Sequence, residues 1–232
     1  MAERPLFIPT SRFDGFVKEM ELSIVWRGGF ALSQKQKNIA ALHEAAAEAG
    51  FAKVLEVSSK SNELLGQRLS AFNLKIEVPG VGLTPLESAF QGSKVFERGG
   101  PYRELYSAAP LEAKRDPRLK ESGQLTGFDF NGSRFPLEPR TVFYDWLYLS
   151  ALHPHREWLR RLNDYAGFTD IEFNPRKSIN CQARSCALFV ALMRGGLLDE
   201  AMVSPEAFVA FMTAKRRPLR EVAAGKTLEL DL

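Results

Sequence analysis

The run Thr84-Pro85-Leu86-Glu87-Ser88-Ala89-Phe90-Gln91-Gly92-Ser93-Lys94 reads as a helix start. Thr84 suits the N-cap, and Pro85 suits the first helical position, where its missing N–H leaves no bond unmade. The pattern predicts a helix that runs on to Phe96, with Glu87 and Lys94 seven residues apart. Seven steps of about 100° fall within about 20° of two full turns, so both side chains share a face about 10.5 Å apart along the axis. A carboxylic acid and an amine aimed at one ligand are parts for acid–base or Schiff-base chemistry. The same letters also spell a capping box, in which Glu87 folds back on the Thr84 N–H and Lys94 is an ordinary solvated lysine. Spacing alone leaves both readings open.

Upstream, Val54–Val57 and Leu74–Val78 read as strands around a helix near 61–71, and Pro79-Gly80-Val81-Gly82 punctuates the chain. Ser33, with Gln36 three residues on, predicts a capped helix over 34–49 that stops at Gly50. Ile24–Trp26 suggests a short strand broken by Gly28-Gly29. Residues 1–23 read as a lead-in whose Phe7, Ile8, Phe13 and Phe16 dock on the core of a domain spanning 24–214.

Downstream, Gly99-Gly100 closes the Glu87 helix, and short helices are expected near 101–107 and 110–116. Asn131-Gly132 marks a hairpin within 128–135. Pro139 opens an aromatic helix, Thr141–Leu152, followed by a helix near 155–166 and a strand over Thr169–Phe173. Ser178 is placed to cap a long apolar helix through Met193, Ser204-Pro205 begins a final helix, and 215–232 forms a basic tail. The order predicts a single compact α+β domain, helix-rich with a small sheet.

At 232 residues, 45% hydrophobic and 25% charged, the chain has the composition of an ordinary globular protein. Its net charge of +3, from 31 basic and 28 acidic residues, does not by itself single out nucleic acid, although it permits a local basic face. The three histidines and two cysteines have no metal-ligand spacing, so no metal is expected. Cys181 and Cys186, five apart on an expected helix, do not face each other and predict no disulfide. There is no apolar leader and no apolar run of about 20 residues, so a cytoplasmic protein with no membrane partner is expected.

Other ligand-facing candidates break local rules. Ser33-Gln34-Lys35-Gln36-Lys37 sets two lysines in a first helical turn, against the macrodipole. With Gly28-Gly29 just upstream, this turn is either a phosphate site or a solvated face. Phe143-Tyr144-Asp145-Trp146-Leu147-Tyr148 packs four aromatics into one segment, and a buried Asp145 there requires a partner, Arg184 being the natural choice. Asn180 and Arg184, four residues apart, are expected to share a face, and Arg184 suits either a pyrophosphate clamp or an ion pair. Lys114, Arg115, Arg118 and Lys120 form a basic loop suited to phosphates or to solvent.

Together these segments resemble a known family. Glu87-Ser88-Ala89-Phe90-Gln91-Gly92-Ser93-Lys94 is similar to the Glu-x-Ala-Phe-Gln-x-x-Lys helix of the NADAR family. Gly99-Gly100-Pro101-Tyr102, Ala113-Lys114-Arg115-Asp116 and Phe143-Tyr144-Asp145-Trp146-Leu147 resemble the antitoxin branch paired with DarT-type DNA ADP-ribosyltransferase toxins. Ser33–Asn38 and Asn180–Ser185 also look typical of that branch, and the likeness extends from about Ile24 to Met193.

The resemblance implies a NADAR-type α+β fold without a cofactor. It implies an enzyme that removes ADP-ribose from the exocyclic amine of guanine in DNA, with ADP-ribosylated DNA and ADP-ribose as ligands and a DNA ADP-ribosyltransferase toxin as functional partner. Glu87 and Lys94 become the catalytic pair. Trp26 or Trp146 would stack on a base, Lys35 and Arg184 would hold the pyrophosphate, and Gln34, Gln91, Arg118, Asp145 and Asn180 join them as ligand-binding candidates. Two rivals follow: an N-glycosidase of small nucleotide or riboflavin-type metabolites, and an ADP-ribose-binding module without chemistry.

Overall fold

A computed structural model describes residues 1–11 and 15–214. Phe13 and the basic tail at 215–232 lie outside the described residues. The chain opens with a hairpin, β1 (Ala2–Pro9) and β2 (Val17–Ile24), then α1 (Leu32–Glu48), β3 (Val54–Glu56) and α2 (Leu64–Arg68). Strands β4 (Lys75–Val78) and β5 (Gly82–Pro85) lead into α3 (Leu86–Gly92) and β6 (Lys94–Phe96). A 3-10 turn at Arg103–Ser107 precedes α4 (Pro110–Arg115), α5 (Arg118–Glu121) and the hairpin β7 (Leu125–Phe130) and β8 (Ser133–Phe135). After α6 (Val142–Leu152) and α7 (Arg156–Leu159) come β9 (Gly167–Thr169), α8 (Gln182–Arg194), α9 (Leu198–Ala201) and α10 (Pro205–Ala214).

The main sheet has the order β2-β1-β9-β3, antiparallel except for the β9–β3 pair. Alternation along β1 splits its apolar residues between two faces. Leu6 and Ile8 join Leu22 and Ile24 of β2 against Ile39, Leu42 and Ala46 of α1, whereas Phe7 enters the larger core built on α6 and α8. Residues 1–23, read as a lead-in, thus supply β1 and most of β2, with β1 inside the sheet. Pro5 and Pro9 obscure that strand in the sequence, because proline is scarce inside sheets. The whole is a compact single α+β domain. Among the described residues, no helix is long and apolar enough to cross a membrane.

Several boundaries depart from expectation. The helix carrying Glu87 stops at Gly92 instead of Phe96, and Thr84 is a strand residue rather than a cap. Two opening N–H groups of α3 already have backbone partners: Leu86 donates to the Leu74 carbonyl at 2.9 Å and Glu87 to the Ala71 carbonyl at 3.3 Å. A capping side chain is therefore superfluous. At the far end Asp129 N–H donates to the Ser93 carbonyl at 2.8 Å, and Lys94 pairs with Phe128. Pairing with β7 overrides helix propensity here.

Ser33 and Ser178 likewise do not cap: α1 starts at Leu32, and α8 starts at Gln182 after Cys181. The expected helix near 155–166 is a series of short turns around α7, and the Thr169–Phe173 strand ends at Thr169. The hairpin is as read, with Asn131 and Gly132 at φ of 51° and 89°, the left-handed pair that a two-residue turn requires.

Candidate active site

All seven residues of α3 are buried, which is unusual for a segment bearing Glu and Gln and obliges both to find partners. Glu87 is 7% exposed. One helical turn on, Gln91 donates from Nε2 to Glu87 Oε1 at 2.9 Å. Lys94, carried back by β6, donates from Nζ to Gln91 Oε1 at 2.7 Å. The carboxamide is oriented by the charges on either side, its N–H toward the acid and its oxygen toward the amine. Lys114 of α4 approaches Glu87 Oε1 at 3.8 Å.

Lys94 Nζ lies 5.0 Å from the centroid of the Phe90 ring. Burial pushes the Lys94 amine down to about 8, Glu87 opposes that fall, and the like charge of Lys114 assists it. Gln91 stands between acid and amine, so no direct ion pair fixes the proton on Lys94. About a tenth of the amine is neutral at pH 7 for such a value.

Glu87, Phe90, Gln91 and Lys94 form one wall of a cavity of about 660 Å³, within the range of small-molecule sites. Phe128 and Tyr144 extend the aromatic part, at 5.5 Å and 5.2 Å from Phe90 between ring centroids. Phe72, Lys114, Leu137, Arg140, Lys177 and Ile179 also line it.

The wall supplied by the loop into α8 carries Asp170, Asn180 and Gln182. Burial, with the nearby Glu56 carboxylate, pushes the Asp170 carboxyl up to about 8. Glu56 is itself raised by burial, although it accepts hydrogen bonds from Ser58, Thr169 and the Ile171 N–H. Gln182 Oε1 accepts from the Ala71 N–H at 2.7 Å, tying this wall to the segment that receives the start of α3.

Of the residues singled out from the sequence, Glu87, Gln91, Lys94, Lys114 and Asn180 meet at this cavity. Asn180 precedes α8, so it does not share a helical face with Arg184. Arg184 Nη1 pairs with buried Asp145 Oδ2 at 2.7 Å, and Thr141 and Ser185 donate to the same carboxylate at 2.7 Å and 2.6 Å. Asp145 thus has the arginine partner it needed, and both residues serve the junction of α6 and α8 and are not among the cavity's lining. Trp146 packs on Phe130 and Phe135, away from the cavity lining.

Lys35 pairs with Glu172 at 3.1 Å, one residue removed from the cavity wall. Trp26 lies under the Arg4 guanidinium at 4.4 Å, and half-buried Gln34 sits beside Gly29. Arg118 pairs with Asp116 at 2.8 Å and with Glu104, over the Tyr102 ring. None of these four lines the cavity. Sequence reasoning passed over Phe72, Asp170, Gln182 and the lining role of Tyr144. Tyr144 was hidden inside an aromatic stripe, and Asp170 inside an expected strand.

No curated protein matches the chain. A family model described as the DarT1-associated NADAR antitoxin matches residues 2–221, a span that includes β1, β2 and the last two helices as well as the cavity. The chain belongs to the family of DarT1-associated NADAR antitoxins.

Proposed function

We propose that this antitoxin is an ADP-ribosyl glycohydrolase that removes ADP-ribose from the amino group of guanine in DNA, undoing the modification made by a DarT-type toxin in the cytoplasm. The observation that carries this reading is the Glu87–Gln91–Lys94 chain of hydrogen bonds on the cavity wall, with the amine pushed down to about 8 by burial.

The bond to be broken joins the anomeric carbon of a ribose to an aryl amine, a poor leaving group unless protonated. The lone pair of the guanine nitrogen first opens the ribose as a C=N bond, breaking the bond from the anomeric carbon to the ring oxygen. That oxygen takes the electron pair of the broken bond and a proton from Glu87. Neutral Lys94 Nζ then adds to the anomeric carbon, forms a new C–N bond and returns a proton to Glu87. The guanine amine leaves with a proton from Glu87, and the electron pair of the breaking bond goes with it. Lys94 is left as an imine, and water hydrolyses it to free ADP-ribose and the original amine. The cations Lys114, Arg140 and Lys177, which line the cavity, suit the pyrophosphate and the DNA backbone better than Lys35 or Arg184, which do not. Phe72, 42% exposed at the cavity, suits base stacking better than Trp26 or Trp146.

The test is release of ADP-ribose from an oligonucleotide carrying ADP-ribosylated guanine. Wild type is expected to turn over repeatedly, whereas Glu87→Gln and Lys94→Ala fold normally and release nothing. Substantial turnover in either folded variant removes that residue's role. Turnover of free modified nucleotides but not DNA would favour the small-metabolite glycosidase, and binding without release would favour the non-catalytic module.

A further inference from the structure

The chain has five tyrosines, and four have hydroxyl partners. Tyr102 meets Ser122, Tyr106 meets Ser93 at 3.0 Å, Tyr148 donates to the Leu69 carbonyl at 2.7 Å, and Tyr165 donates to Glu63 at 2.6 Å. Tyr144 is the exception: it is 6% exposed, lines the cavity, and makes no hydrogen bond to any described residue. The ring is buried, but the hydroxyl is not among the buried atoms that lack a partner: it opens onto the cavity, where its O–H can serve a ligand. On the same cavity, Asn180 Oδ1 is buried without a hydrogen-bond partner.

Position narrows the purpose. The Tyr144 ring meets Phe90 edge-on at 5.2 Å, and the Phe90 ring also carries the Lys94 amine at 5.0 Å. The Tyr144 ring and the Lys94 amine therefore both pack on Phe90, and all three residues line the same cavity.

We propose that Tyr144 is a further catalytic residue, its hydroxyl donating a hydrogen bond to an oxygen of the ribose that Lys94 attacks. This rests on the glycohydrolase reading for the identity of the sugar. Burial, reinforced by the Glu87 carboxylate, holds the phenol well above its usual range, so Tyr144 remains a neutral donor. It transfers no proton. It stabilises the charge that collects on the sugar oxygen when the ring opens, from a side chain that is itself 6% exposed, where such a bond is stronger than in bulk water.

Tyr144→Phe deletes one oxygen and keeps the ring contacts, so its melting temperature should stay close to that of wild type. With ADP-ribosylated guanine DNA as substrate, kcat should fall by about 10²-fold. Calorimetry with ADP-ribose itself should show Kd raised by about three- to tenfold. Values of both kcat and Kd within twofold of wild type, or a lowered Kd with unchanged kcat, would overturn the proposal, and a fall in kcat or a rise in Kd supports it. If wild type releases no ADP-ribose from DNA while Tyr144→Phe still weakens ADP-ribose binding, the glycohydrolase reading fails and the Tyr144 contact stands.

Discussion

Nζ of Lys94 lies 2.7 Å from Oε1 of Gln91, and that hydrogen bond joins the first residue of β6 to the last turn of α3. It replaces the continuous helix as the device that brings Lys94 toward Glu87. A neutral carboxamide at this point holds the amine without fixing its charge, which a carboxylate would do.

The activity of the wild type should accordingly rise with pH through about 8, as Lys94 loses its proton. Gln91→Glu places an anion on the ammonium, favours the charged form and moves the inflection upward by about one unit or more, so activity at pH 7 falls roughly tenfold. Single-turnover pH profiles of the two proteins check this. An unmoved inflection would mean that Lys94 does not govern the rate.

The Asp145–Arg184 pair should matter to stability and not to the ligand. Asp145→Ala strands a largely buried guanidinium and should cost about 3 kcal/mol in urea unfolding. Arg184→Met should also destabilise, yet leave Kd for ADP-ribose within twofold. A tenfold loss of affinity would restore Arg184 as a pyrophosphate clamp.

Asp170 predicts an unusual pH dependence of folding. Its carboxyl is raised to about 8 by burial and by Glu56, so the native state keeps a proton that the unfolded chain releases above about pH 4. Between those values the native state binds more protons, and stability must fall as pH rises. Urea unfolding at pH 5 and pH 8 should show that loss, and Asp170→Asn should reduce it by about half, with Glu56 responsible for the remainder. A stability that rises over this interval would contradict the placement of Asp170.

What was legible in the sequence was local chemistry. Asn131-Gly132 gave its turn, α1 and α8 followed their apolar periodicity, and Glu87 with Lys94 pointed to a segment that forms one wall of the cavity. What was hidden depended on partners distant in the chain. Nothing near Thr84 reveals that the Ala71 and Leu74 carbonyls receive the start of α3, and nothing near Ser93 reveals that Asp129 draws the chain into a sheet. The same holds for the site: Lys35, Arg118 and Arg184 have the right chemistry for a phosphate, but acids from other segments engage each of them. Tyr144 lacked any distinguishing signal, because an unpartnered hydroxyl is visible only once every neighbour is in place.

The proposed reaction requires one nitrogen, Nζ of Lys94, to make a covalent bond to the sugar. The direct measurement is intact-protein and peptide mass spectrometry after wild type and modified-guanine DNA react in the presence of borohydride, which reduces an imine to a stable amine. A wild-type adduct with the mass of reduced ADP-ribose on the Lys94 peptide is the predicted result, absent in Lys94→Ala. Continued release of ADP-ribose by Lys94→Ala, with no adduct trapped on the wild-type chain, would contradict it.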